Sequence, residues 1–494
     1  MLRTIVGVAL VTSLAVPAAA ENRDQGPKLT PNGQLIVGQG RTFVDTPRTA
    51  YSAPAVTISP YLYLNRCSGG CAISGASIND ARTNQSTIPT AGAHIISEFQ
   101  NAQDQTGAMA DEEWNALVTC MKEVYSPFDV TVTDVKPENV SYTMAIVAGN
   151  PGDIGLDNSI LGIAPLASDC SPQDNVISFS FANHHGNFDR VNNLCWTAAQ
   201  ETAHAFGLDH EYVFADGTSA CNDPMTYRVD CGGQKFFRNK AASCGENEVR
   251  PCRCGGSQNS HTKIRAVFGE GTSIVPPPTV DLVSPKSGTI TAATPFTVSA
   301  GSQRGIAKVE VWINNYMWAE KPGAKFLGAG QPNPSTYQIM LPAGVPDGVM
   351  DVVIKAHDDI GGVTSSQMVT VTKNAPCASA DTCAKGQVCE SGKCFWNPPV
   401  GELGADCDYP QFCTSGICTE TSDGSFCTQD CINGTADSCP MGFECISTGG
   451  QTGQCLSTTS GGGCCSVSSG NQVVFHFGIS ALVLGLVIRR RRKR

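Results

Sequence analysis

Fourteen of the chain's 24 cysteines crowd into residues 377–465, where large apolar side chains are scarce. Such a stretch cannot bury enough apolar surface to hold itself, so disulfides must order it. The other ten lie between Cys67 and Cys254. Cysteine use on this scale suits an oxidising compartment; in a cytosolic chain each cluster would need a metal or redox purpose. At 494 residues the chain is too long for one core, which predicts several domains.

Both ends point outward from the cytoplasm. Arg3, an apolar stretch at 4–16 and Ala18-Ala19-Ala20 make residues 1–20 a secretory signal with a small-residue cleavage site. At the other end, SGGGCCSVSSG precedes an apolar run at 473–488 and six basic residues at 489–494. Sixteen helical residues reach about 24 Å, just short of a hydrocarbon core. The basic block belongs on the cytoplasmic side. Without that block and Arg3, 26 basic residues face 44 acidic ones. An acidic ectodomain argues against nucleic acid as a partner.

This C-terminal layout resembles the myxobacterial sorting signal, a Gly-Cys motif followed by a short membrane segment and an arginine cluster. The resemblance implies processing and surface anchoring near Cys464 or Cys465. The plainer reading is a membrane tail. Either way, the implied partner is a membrane, through the segment 473–488 or a lipid anchor.

Between the ends the expected order is multidomain. Residues 21–54 are polar and read as a leader or short propeptide; no cysteine there could cap a metal. Residues 55–270 read as α/β. Trp114, Leu117, Val118, Met121, Val124 and Tyr125 recur at helical spacing after the acidic turn Asp111-Glu112-Glu113. Strand-like runs at 128–133, 142–147 and 176–181 precede a helix at 195–206. Val275-Pro276-Pro277-Pro278 ends a Pro-rich linker, 271–278. Residues 279–374 carry about six short alternating runs, as in an all-β immunoglobulin-like sandwich. There Val309, Val311 and Ile313 should face inward, and Glu310 and Asn314 outward. Asp358-Asp359 could contact calcium, but no calcium motif surrounds them and a solvated turn is the simpler reading. Residues 375–457 form a small disulfide-rich module, divisible into 377–394 and 407–455. The eight cysteines of the second part allow on the order of 100 pairings. Residues 458–494 complete the chain as the sorting signal.

Chemistry concentrates at QETAHAFGLDH, residues 200–210. Gln200 and His204 share a helix face, Gly207 permits a sharp turn, and His210 follows six residues after His204. With Asp209 and Asp223-Pro224-Met225-Thr226-Tyr227, this pattern resembles the metzincin zinc endopeptidases, whose signature is HExxHxxGxxH. The resemblance covers roughly residues 55–270. It implies one zinc ion, with His204 and His210 as ligands and Glu201 as general base for a metal-activated water. It gives Met225 a structural place under the metal and Tyr227 a donor role. The implied substrate is a protein or peptide.

Gln200 departs from the family pattern, which has histidine there. Three accounts follow. Gln200 is a real but weaker third ligand; His184 or His185 supplies the missing imidazole; or the site no longer turns over. The non-enzymatic alternative is a metzincin-fold surface binding or adhesion protein.

Overall fold

In the computed structural model, residues 36–37, 40–46, 58–229, 233–323, 333–435, 438–449 and 452–457 are described. Residues 1–20, Cys464, Cys465 and the run 473–488 lie outside them. Among the described residues no helix is long and apolar enough to cross a membrane. β-strands dominate, and the α-helices among these residues are α1 (Asp111–Tyr125), α2 (Arg190–Ala205) and α3 (Ser260–Phe268).

The first region is built on a mixed sheet. Its strands are β1 (Ile36–Val37), β2 (Gly40–Thr46), β3 (Tyr61–Asn65), β4 (Thr131–Thr133), β5 (Thr143–Val147), β6 (Ile160–Ala167) and β7 (Ile177–Ser180). They lie in the order β1-β2-β6-β7-β5-β3-β4. Strands β4, β3, β5 and β7 run parallel, while β6 runs antiparallel to β7. Every residue of β5 is buried, as the centre of a covered parallel sheet requires. The run expected at 128–133 shortens to β4, and Phe128 turns into the core instead.

Residues 40–46 fall in the stretch expected as leader or short propeptide. They form β2, which pairs in parallel with β6, and Arg41, Thr42, Phe43 and Val44 are buried. Thr, Phe and Val suit a pleated, half-buried surface, so the segment has the composition to join a sheet.

Helix α1 buries the face that its spacing predicted. The Cys120–Cys195 disulfide ties it to α2, and the Tyr125 hydroxyl lies 2.6 Å from Thr202 Oγ1 on α2. From Leu194 to Ala205 every residue of α2 is buried. Such a helix occupies a domain interior, so its polar side chains need internal partners or a ligand.

The next region is a two-sheet β arrangement, as expected of an immunoglobulin-like module. One sheet contains Thr279–Ser284, Phe296–Gly301 and Ser335–Ile339. The other is centred on Gly348–His357 and Lys308–Ile313. Val309, Val311 and Ile313 pack with Leu282, Phe296 and Val298 of the facing sheet. Glu310, expected to face outward, is buried; Trp312 Nε1 donates to it at 2.8 Å, and Lys308 lies 2.7 Å away. The ion pair and the indole donor replace the water it gives up.

The linker is fastened to the first region. Val275 is buried, and the Ile274 amide donates to Ser126 Oγ at 3.1 Å. Arg304 donates to Phe237 O at 3.1 Å and pairs with Asp359 at 2.9 Å, while Arg238 lies 3.4 Å from the same carboxylate. Asp359 is therefore an ion-pair partner between regions. Asp358 closes a local turn by accepting from the Gly362 amide at 2.7 Å.

The chain divides into two compact units between Phe395 and Trp396. The boundary falls within the stretch 375–457, between its expected parts 377–394 and 407–455. Cys377–Cys389 and Cys383–Cys394 lie in the first unit. Cys407–Cys418, Cys413–Cys427, Cys431–Cys445 and Cys439–Cys455 lie in the second. Each set of four consecutive cysteines pairs first with third and second with fourth, so the stretch is a threefold repeat of one cross-linked design.

Candidate metal centre

Helix α2 carries Gln200, Glu201 and His204 into the interior, and all three are fully buried. Gly207 then reverses the chain at φ +89°, and a Cβ there would lie 2.1 Å from Cys170 O. Only glycine accommodates both demands. The turn delivers His210 beside His204, with ring centroids 4.6 Å apart.

Each candidate ligand has its outer atom fixed and its inner atom free. His204 Nδ1 lies 2.7 Å from Leu208 O. A carbonyl only accepts, so Nδ1 carries the proton and Nε2 holds the lone pair. His210 Nδ1 lies 2.9 Å from Glu246 Oε1. Gln200 Nε2 donates to Met225 O at 3.4 Å. His204 Nε2, His210 Nε2 and Gln200 Oε1 are buried and lack hydrogen-bond partners. Burial, with the nearby His210 second, pushes the His204 imidazole down to about 3, so it is neutral at ordinary pH. Buried donor atoms with no protein partner are atoms of the kind a cation satisfies. A carboxylate or carbonyl behind each imidazole is the usual outer support of such a ligand.

Glu201 is buried with both carboxylate oxygens unpartnered. Burial raises its pKa well above the ordinary carboxylate range, and the Arg41 charge and a loose approach of the Thr42 backbone amide, short of a well-formed hydrogen bond, oppose the rise. Gly162 on β6 makes this fit possible: a Cβ there would lie 2.6 Å from Glu201 Oε1.

The Asp223-Pro224-Met225 turn underlies the centre. Asp223 accepts from the Met225 amide at 2.9 Å and from Ser260 Oγ at 2.6 Å, which fixes the turn. Met225 is fully buried, and the Tyr227 ring lies 4.5 Å from the His210 ring. Asp209 is gripped by Arg250 through two hydrogen bonds at 2.6 and 2.8 Å, and it offers a ligand atom within 4.8 Å of atoms of His210 and Glu246.

The two upstream histidines separate. His184 turns its Nε2 to Asn158 O. His185 is buried with Nε2 unpartnered, and its carbonyl accepts from Arg190 at 2.7 Å. The ring contacts that bring His204 and His210 together include neither of them.

Four neighbours of the centre escaped the sequence reading: Arg41, Phe43, Gly162 and Glu246. Phe43 packs on both imidazoles, at 5.0 Å from His204 and 5.1 Å from His210. A hydrophobic β-forming run before the domain was the available signal for Phe43; nothing local marks Glu246.

No protein-family model matches the chain, and no curated protein sequence matches it. Among solved structures, the fibronectin(III)-like modules of Clostridium thermocellum CbhA are similar over 19% of this chain and 94% of theirs, at 20% identity and TM-score 0.15. OgpA from Akkermansia muciniphila is similar over 46% of this chain and 63% of its own, at 14% identity and TM-score 0.14. A Bacteroides uniformis beta-glucuronidase is similar over 61% of this chain and 37% of its own, at 10% identity and TM-score 0.14.

Proposed function

We propose that this chain is an exported, surface-anchored, zinc-dependent endopeptidase with a metzincin-like catalytic region. One observation carries the reading: Gln200 Oε1, His204 Nε2 and His210 Nε2 are buried donor atoms without partners, on residues whose other polar atoms are fixed. Most buried side-chain polar atoms find a partner; His185 Nε2 and His261 Nδ1 also lack one, and what sets His204 and His210 apart is that their rings lie together, 4.6 Å between centroids. The mixed sheet, in which β2 and β6 run opposite to the other strands, followed by α2 and the Met225 turn, supports the same reading.

Zinc, when bound, supplies Lewis acidity that polarises a carbonyl and lowers the pKa of water. Gln200, His204 and His210 would hold it. Glu201 would take a proton from water at a carboxylate oxygen and return it to the leaving amine. Tyr227 brings a phenol beside His210. The sandwich and the cross-linked repeats hold the catalytic region at the surface or engage a protein target. The disulfides agree with export, and the C-terminal segment or a lipid at Cys464 or Cys465 supplies the anchor.

The test is metal analysis of the purified ectodomain together with casein cleavage. About one zinc per chain is expected, with chelator-sensitive cleavage that vanishes in Glu201→Ala. Protein that stays metal-free at every added zinc level and cleaves nothing overturns the proposal in favour of a binding scaffold.

A further inference from the structure

His210 is held from behind by a short stretch of chain that two disulfides fasten. The strand Glu211–Phe214 that follows it pairs with Ala242–Cys244, with Glu211 opposite Cys244. The Gly245 amide then donates to His210 O at 3.0 Å. Glu246 Oε1 lies 2.9 Å from His210 Nδ1, and Arg250 donates to Glu246 Oε2 at 3.1 Å and to both oxygens of Asp209. The Arg253 amide donates to Asp209 Oδ2 at 2.8 Å, and Asp209 Oδ1 accepts from the His210 amide at 2.8 Å. Residues 245–253 thus clamp both the ring and the backbone of one candidate ligand.

The two bridges that close this clamp differ in access. Cys244–Cys252 is buried at both ends. Cys170–Cys254 is buried at Cys170 and exposed at Cys254. Among the described cysteines from Cys67 to Cys254, Cys254 alone is exposed. Disulfide exchange requires a thiolate to reach a sulfur, so a soluble thiol meets this bridge first. The buried end matters as much. A Cβ at Gly207 would lie 2.1 Å from Cys170 O, so Cys170 packs on the turn between His204 and His210. One bridge therefore joins the clamp behind His210 to the turn that delivers it.

We propose that Cys170–Cys254 is a thiol-exchange site that controls metal retention at the candidate centre. The co-reactant is a dithiol. Its thiolate attacks Cys254 Sγ, a mixed disulfide forms there, and the Cys170–Cys254 bond breaks with its electron pair on the Cys170 sulfur, which takes up a proton. The second thiol then closes on the first and releases Cys254 as a thiol; the dithiol is oxidised to a disulfide and the bridge is reduced to two thiols. The clamp keeps only its inner bridge, and Glu246 holds His210 less firmly. The proposal rests on the zinc endopeptidase reading.

The test takes the exported protein through limited reduction with a small dithiol, alkylation and removal of the reagents. Peptide mass spectrometry identifies the bridge that opened, and Cys170 and Cys254 are expected to be alkylated first. Zinc affinity, measured by competition with a chromophoric chelator, is expected to fall by about tenfold or more relative to untreated protein. The paired substitution Cys170→Ala and Cys254→Ala reproduces the opened form without reagents, with circular dichroism and thermal unfolding reporting its fold. Glu246→Ala separates control through the clamp from general loosening: in the opened form it should weaken zinc binding less than in the intact protein. Alkylation that begins at another bridge of the first region, or equal zinc affinity in the opened and intact forms, overturns the proposal and leaves the zinc reading standing. An undiminished effect of Glu246→Ala in the opened form overturns the route through the clamp. Zinc binding by neither form overturns the reading on which the proposal rests.

Discussion

Glu246 Oε1 lies 2.9 Å from His210 Nδ1, and Arg250 holds the same glutamate from the other side. The carboxylate fixes the tautomer that leaves His210 Nε2 free, and it raises the basicity of the ring. Glu246→Ala should therefore weaken zinc binding by about 10–100-fold with little loss of fold. Competition titration against a chelator of known affinity measures it; an unchanged affinity removes Glu246 from the centre.

The contact between Gly162 and Glu201 yields a second expectation. A methyl group at Gly162 would lie 2.6 Å from Glu201 Oε1 and 2.7 Å from Thr197 Cγ2. Both neighbours sit on the packed face of α2, so strand and helix must separate to admit it. Gly162→Ala is expected to destabilise the protein by about 1–3 kcal/mol and to depress casein cleavage more than zinc affinity. Denaturant unfolding and a zinc titration separate the two effects. A variant with wild-type stability would show that β6 gives way easily.

How far these features were legible follows from their range in sequence. Helix α1 and the inward face of Val309, Val311 and Ile313 were readable because periodicity is local. So were the turn at Gly207 and the meeting of His204 with His210, which span seven residues. Strand β6 was not: ILGIAPLA is an unbroken apolar run carrying Gly162 and Pro165, which blur both strand and helix signals. Glu246 stands 36 positions from His210 among cysteines, and only the folded chain joins them. Glu310 broke the alternation because Trp312 and Lys308 satisfy it within the interior. The pairing of the last twelve described cysteines is set by spatial neighbours, although the repeat was open to inspection.

Gln200→His tests the third ligand. The Gln200 amide already spends Nε2 on Met225 O, which leaves Oε1 as its free donor. Imidazole is the better zinc ligand. The substitution should tighten zinc binding by about tenfold or more. His184→Ala should leave zinc content unchanged, because that ring turns to Asn158 O. Loss of zinc in His184→Ala would place the third ligand upstream after all.

Asp359 links acid stability to the junction between the first region and the sandwich. Burial alone would raise its pKa, but the charges of Arg238 and Arg304 prevail and hold the carboxyl below the ordinary range. The ionised form is thus favoured by folding. Its contribution is full above the unfolded value of about 3.9 and disappears as pH falls through the lower folded value. Asp359→Asn leaves two guanidiniums facing each other across the junction. At pH 7 it should cost about 1–3 kcal/mol, less than a fully buried pair because the carboxylate retains some solvent contact. The gap between wild type and variant should narrow steadily as pH is lowered from about 5 to 2. Urea unfolding at stepped pH measures that gap, and a gap that stays constant across the range would show that Asp359 acts by packing alone and not by charge.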